Sequence, residues 1–446
     1  MTFKLQSLVC ITLAGLIGSP VGVLGQTKDV TKIVFPNGFR LLIKPEPGKG
    51  LVALDMVIRA GALEDEGVPG IGQVVARSLL SGAKNLSPRK LAQLSDEVGG
   101  SFAITWDPDF TEVYIATTSE QTRYGVELLA ETLIHPKFDD AVVSAAKTQV
   151  NQDITTSKES AFRAGYDELR RLLYSDSPYR RPLLGQKTAI DGITPDDVRK
   201  HVRKWFVPQN MVLSVVGDVT VDQVRQAVDL WFAKQPKGIA LDRPSVPEES
   251  GPTRPPSLLE IDSNNTYVIA GTLASRMGAP KYAADMVAVA AIGGGKASRM
   301  FQDLREHRGL AYELGTLYPP TLYQSHALAY VVSATYTMQP DIRGEKPTIE
   351  TVRGALKVSL DSVNTKLLTQ AEVDRAKRYL IGSFAVRHQR LQERAKHLAW
   401  YEAMGLGFAY DDRYSDDVGA VTLAQVHESA KRLFSKSAMV VVVPTE

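Results

Sequence analysis

ITPDDVRKHVRKWFVPQNMVLSVVG, residues 193–217, reads as one complete structural unit. Thr194 is placed to cap an amphipathic helix, because a Thr hydroxyl can accept a hydrogen bond from an unpaired first-turn N–H. Trp205-Phe206 closes the helix, a short turn follows, and 211–217 is an apolar β-rich strand. The same unit returns at 421–444 as VTLAQVHESAKRLFSKSAMVVVVP. Thr422 stands for Thr194, Leu433-Phe434 for Trp205-Phe206, and 439–443 for 211–216. Upstream, DDAVVSAAKTQV (139–150) matches QAEVDRAKRYLI (370–381) at helical period and nearly the same offset. Two matched pairs at one offset mark an internal duplication.

The chain between the two copies punctuates itself. Residues 235–256 are rich in Pro, Gly and Ser, with Pro255-Pro256 at the end and no amphipathic period, as expected of a linker. Before it, 32–44 reads as a hairpin around Asn37-Gly38, a type I′ signal. Residues 51–59 read as a strand and 71–80 as an amphipathic helix. A second helix opens at Ser87-Pro88 and closes at Gly99; 111–118 is a strand and 120–134 a helix. Interleaved hairpins and helices imply an α+β class: two homologous lobes, each a mostly antiparallel sheet with helices packed on one face. The organisation is then 1–25 as a leader, 26–234 as the N-terminal lobe, 235–256 as linker and 257–446 as the C-terminal lobe.

The bulk composition narrows the function classes. A net charge of +2 gives no electrostatic case for nucleic acid or an acidic membrane surface. At the N-terminus, Lys4, an apolar run over 8–17, Pro20 and a Val23-Leu24-Gly25 end suit export with cleavage after Gly25. The expected location is periplasmic or extracellular. Cys10, the sole cysteine, falls in that segment, so disulfides and cysteine-based metal sites are excluded from the exported chain.

The order of strand, Gly61, acidic Glu64-Asp65-Glu66, and Gly70 opening a helix resembles the pitrilysin/insulinase metallopeptidase family. In that family the helix carries HxxEH. Two His on one helical face bind zinc, the Glu activates the bound water, and a carboxylate on a later helix completes the zinc shell. The corresponding stretch here is GIGQVVARSLLSGA (70–83). Gln73 and Arg77 stand where the His ligands belong, Ala76 where the base belongs, and Asp153 where the later carboxylate belongs. Arg stays charged and repels a dication, Gln is a poor zinc ligand, and Ala has no chemistry. The seven His, at 135, 201, 307, 326, 388, 397 and 427, include no two four apart, so HxxEH is absent from the chain. Arg77 is expected to pair with Asp153.

SRMFQDLREHRGLAYELGTLY, 298–318, is similar to a second family segment. The resemblance implies that Arg305 and Tyr312 meet the substrate across a cleft. Arg offers charge-assisted hydrogen bonds, and a Tyr hydroxyl can donate to a peptide oxyanion. Together these readings imply a chain without its own zinc or other cofactor, serving as the peptide-binding subunit beside a homologous HxxEH-bearing partner that holds zinc. The rival readings are a self-sufficient metalloendopeptidase with an unorthodox site, and a non-enzymatic scaffold or chaperone. AIGGGKASRM (291–300) is no phosphate loop, since Ala290 and Ala297 replace the Gly and Ser/Thr that one needs. His388 and His397 read as nine apart on one helix, a spacing that does not converge on an ion.

Overall fold

The computed structural model describes residues 27–445 apart from 66, 82, 84–86, 98–100, 176, 243–254 and 334–347. The proposed leader and most of the proposed linker lie outside the described residues. The first half runs β1 (Thr31–Val34), β2 (Arg40–Pro45), β3 (Leu51–Ile58), α1 (Ile71–Leu79), α2 (Pro88–Glu97), β4 (Ser101–Trp106) and β5 (Thr111–Thr118). It continues with α3 (Thr122–Ile134), α4 (Asp140–Glu159), α5 (Ala161–Leu173), α6 (Lys187–Gly192), α7 (Pro195–Trp205), β6 (Met211–Gly217) and α8 (Val221–Trp231). The second half runs β7 (Ser257–Ile261), β8 (Thr266–Ala274), α9 (Tyr282–Gly293), a π-helical turn (Phe301–His307), β9 (Glu313–Leu317) and β10 (Ser325–Ser333). Then follow α10 (Ile349–Asp361), α11 (Gln370–Arg387), α12 (Leu391–Ala403), α13 (Tyr410–Ala420), α14 (Leu423–Phe434) and β11 (Ala438–Pro444).

The duplication is written in the sheets. The first has the order β1-β2-β6-β3-β5-β4 and the second β7-β11-β8-β10-β9. In each, one parallel pair, β2 with β6 and β7 with β11, sits among antiparallel neighbours. The repeated units fold alike. Thr194 accepts from Asp197 N–H while Asp197 accepts from Thr194 N–H, and Thr422 and Gln425 do the same at α14. Each capped helix then feeds a central strand.

One local expectation is overturned. Val34 pairs with Arg40, Gly38 N–H donates to Phe35 O, and Gly38 alone takes a left-handed φ, +88°. A type I′ turn needs positive φ at Asn37 as well, so the loop is the longer kind with one left-handed glycine. Asn37 has other work: its amide donates to Phe232 O at 2.8 Å and Gln235 O at 3.0 Å, tying the hairpin to the end of α8.

The sheets carry more than the expected single layer of helices. On β3, Leu54, Met56 and Ile58 face the first half's own helices, while Ala53 and Val57 face α12 from the second half. On β8, Val268 and Ala270 face the second half's helices, while Ile269 faces α5 from the first. The halves therefore exchange one helix each. Close approach of α5 depends on Gly165, where a Cβ would stand 2.8 Å from Ile269 Cδ1 and Val442 Cγ2. Burial on both faces explains why β6 and β11 are apolar at nearly every position rather than alternating.

α11 and α12 are also two helices, not one. His388 ends the first and Arg390, with extended backbone, starts the second. This corrects the reading of His388 and His397 on a common helix.

Candidate functional site

Helix α1 is positioned by the acidic turn before it. Asp65 accepts from Gly70 N–H at 2.7 Å and Gly72 N–H at 3.2 Å, and Glu64 accepts from Gly61 N–H at 2.7 Å. The Asp65 carboxylate faces the positive end of α1 and satisfies donors that have no partner within it, while Glu64 caps the short turn 62–64 before it. Burial pushes the Asp65 carboxyl up to about 7 against the pull of the two backbone N–H groups. Gly72 then allows α1 to lie on β4, since a Cβ there would stand 1.5 Å from Trp106 Cζ2.

Of the residues singled out on α1, Gln73 and Ala76 are buried. Arg77 reaches α4, and its Nη2 donates to Asp153 Oδ2 at 2.6 Å. The side chains are 40% and 39% exposed, so the pair contributes no more than about 1 kcal/mol to stability. Its chemical effect is larger: a guanidinium occupies the carboxylate that α4 offers to α1.

Arg305 lies in the π-helical turn, a form of helix that recurs at functional sites. Its Nη1 donates to Tyr312 O, and the guanidinium carbon lies 5.4 Å from the centre of the Phe301 ring. Tyr312 N–H donates to Val332 O at 2.8 Å, and the Tyr312 side chain is exposed. The structure thus joins Arg305 to Tyr312 through the backbone at the start of β9, an edge strand. The Arg77–Asp153 and Arg305–Tyr312 pairs make no hydrogen bond to one another.

A cavity of about 680 Å³ lies between the halves. Its walls include Phe162, Tyr166, His326, Lys396 and His397, residues the sequence reading did not connect. His326 Nδ1 lies 2.9 Å from Tyr174 Oη, and its Nε2 lies 2.8 Å from Tyr166 Oη. Tyr174 Oη gives its proton to Gln324 O, so His326 Nδ1 donates and Nε2 accepts. Burial, followed by the charge of Arg170, depresses the imidazole to about 3, which keeps it neutral. No local motif announces this network, because its members come from α5 and β10.

Behind the cavity, Lys396 of α12 donates to Glu112 Oε2 at 2.5 Å. Asp55 on β3 is wholly buried there, beside Glu112. Burial, followed by the charge of Glu112, holds the Asp55 carboxyl well above the usual range. The folded chain thus keeps a proton that the unfolded chain releases, and stability is lost as pH rises from the unfolded value toward the folded one. Asp55→Asn removes this dependence. The stability difference between variant and parent, measured by urea unfolding from pH 4 to 8, should shift in favour of the variant as pH rises. A difference independent of pH would sink the assignment.

Two family models match the chain. The one described as "Insulinase (Peptidase family M16)" matches residues 40–187, and "Peptidase M16 inactive domain" matches residues 192–380. Together they take in well over half of the sequence. The chain belongs to the insulinase family, M16. Within that family it is similar to an "Uncharacterized zinc protease YmxG" of Bacillus subtilis, 21% identical, with 90% of this chain and 94% of the relative covered. It is also similar to the "Non-peptidase homolog YmxG" of Helicobacter pylori, 22% identical over 83% of each chain. In fold it matches a peptidase M16 inactive domain from Pseudomonas fluorescens, with a TM-score of 0.82 at 21% identity over 94% of this chain and 98% of that one. This M16 chain lacks HxxEH throughout its sequence. Among its described residues no helix is long and apolar enough to cross a membrane.

Proposed function

We propose that this M16 chain is the subunit without the family's catalytic zinc site in a two-chain metallopeptidase, binding peptide for a homologous partner that carries HxxEH. The observation that carries the reading is the Arg77–Asp153 ion pair. It stands where the family resemblance puts zinc, and a fixed cation there removes both the vacancy and the free carboxylate that a dication needs. Gln73 and Ala76 beside it offer neither ligand nor base. The name of the Helicobacter relative, a non-peptidase homolog, supports the same direction.

In this reading the C-terminal half supplies the substrate contacts. Tyr312 presents its hydroxyl to solvent, and Arg305 exchanges its bond to the Tyr312 carbonyl for one to a peptide carbonyl. Among the described residues, the neighbouring strand β9 is at the sheet's edge with no strand paired on its outer side, where an extended peptide would add as a further strand. Export follows from the leader-like segment 1–25, with the mature chain starting at Gln26.

The test is peptide cleavage by the purified exported chain, alone and mixed with an HxxEH-bearing homologue from the same cell. Cleavage is expected in the mixture and absent from this chain alone. Tyr312→Phe and Arg305→Ala should each lower kcat of the mixture by roughly 10²–10³, the cost of one oxyanion donor. Chelator-sensitive cleavage by this chain alone overturns the reading, and so does a mixture indifferent to both substitutions. The intact mass of the same preparation reports whether the first 25 residues have been removed.

A further inference from the structure

We infer that His388, His397 and Asp411 form a binding site for a divalent transition-metal ion, at a place unrelated to α1 and α4. One ligand atom from each of the three lies within 4.8 Å of the other two. They come from three elements: the end of α11, the middle of α12 and the start of α13. The turn at 388–390 makes the convergence possible by folding α12 back, bringing the two imidazole centres to 4.6 Å.

The histidines are oriented as metal ligands are. His388 Nδ1 is 2.9 Å from Phe384 O, and His397 Nδ1 is 2.6 Å from Glu393 O, each a carbonyl four residues back. A carbonyl only accepts, so both Nδ1 atoms carry protons; the neutral His397 ring then presents a lone pair at Nε2, and His388 Nε2 presents one once an ion displaces the proton it shares with Asp411 Oδ1. His388 Nε2 lies 2.9 Å from Asp411 Oδ1, a separation that two ligands of one ion also adopt. The second, independent observation is Asp411 itself: the residue is 2% exposed, and its Oδ2 is buried with no hydrogen-bond partner. A carboxylate oxygen left bare in an aromatic wall is costly unless something positive meets it.

Two imidazoles and one carboxylate suit zinc and its neighbours, and not calcium or magnesium, which select oxygen ligands. Three protein ligands leave a fourth position. His397 lines both the large cavity and an adjoining one of about 490 Å³, so one of the three ligands stands at the wall between them. Arg387, the neighbouring cation, is exposed and free to turn to solvent. A bound ion would tie α11, α12 and α13 together at the root of the exchanged helix.

The experiment uses the full exported chain, stripped with a chelator and titrated with zinc against a chromophoric competitor. Metal content and thermal unfolding are read in parallel. The parent should take up one equivalent of zinc and unfold several degrees higher with it. His397→Gln and Asp411→Asn should each weaken binding by more than about 100-fold, beyond what outer-shell changes cost. Asp153→Asn, at the other candidate position, should leave it unchanged. Far-UV circular dichroism checks that the variants fold, and X-ray absorption of the loaded parent should show two imidazole nitrogens. Substoichiometric uptake, or zinc retained by both site variants, overturns the inference and leaves His388 and Asp411 as a hydrogen-bonded pair. The inference is separate from the subunit reading: bound zinc without cleavage supports this site and leaves that reading standing.

Discussion

Lys396→Met lowers the unfolding free energy by about 3 kcal/mol, the lower end of the range for breaking a buried ion pair. Met keeps most of the apolar stem but leaves Glu112 without its cation. Glu112 is 3% exposed, and Asp55 beside it is fully buried, so nothing in the sheet replaces the lost charge. Burial pulls the Lys396 ammonium down, and the attraction of Glu112 more than offsets it, holding the group above its ordinary value. The lower end is appropriate because 31% of the lysine side chain still meets solvent. Urea unfolding measures the effect. Pairing Lys396→Met with Glu112→Gln should recover much of the loss, because the second change removes the stranded charge. A single variant as stable as the parent would show that water already reaches the carboxylate.

The second large effect concerns the helix that carries Gln73, Ala76 and Arg77. Gly72→Val should destabilise by at least about 3 kcal/mol, at or above the usual cost of overpacking. Its Cβ would stand 1.5 Å from Trp106 Cζ2, a bonding distance, so the ring or the helix has to move. The ring has little room, with His201 6.0 Å away centre to centre. Valine brings little helix propensity over glycine to offset the clash. Shrinking the ring with Trp106→Leu should restore most of the stability, and chemical denaturation of the four chains gives the coupling. Equal losses with and without the tryptophan would mean that the helix reaches β4 some other way.

Much of the fold was legible because its signals are local. Thr194 and Thr422 announce their helices through side-chain caps, and 51–59 and 111–118 announce strands by composition. The α1 and α4 positions were legible only through the family resemblance. Given that, opposite charges at 77 and 153 made the ion pair foreseeable. What stayed hidden has nonlocal causes. The break at 388–390 contains no Gly or Pro, so packing rather than chain chemistry ends α11 there. With the break unseen, the meeting of His388, His397 and Asp411 was unseen too. The exchange of α5 and α12 left one sequence trace, the unbroken apolar runs of β6 and β11, which the one-faced reading did not use. At 37–38 the Asn-Gly pair was over-read: its amide is recruited by α8, and the turn lengthens around it.

The exchanged helices also decide how this molecule can move. Swinging the halves apart at the connecting segment would peel α12 from Ala53, Val57 and Val212, and α5 from Ile269 and Val442. Each separation would wet an apolar sheet face and, in the first case, draw Lys396 away from Glu112. Gape between the halves is therefore closed to this chain as a working stroke. The two halves are expected to move as one block.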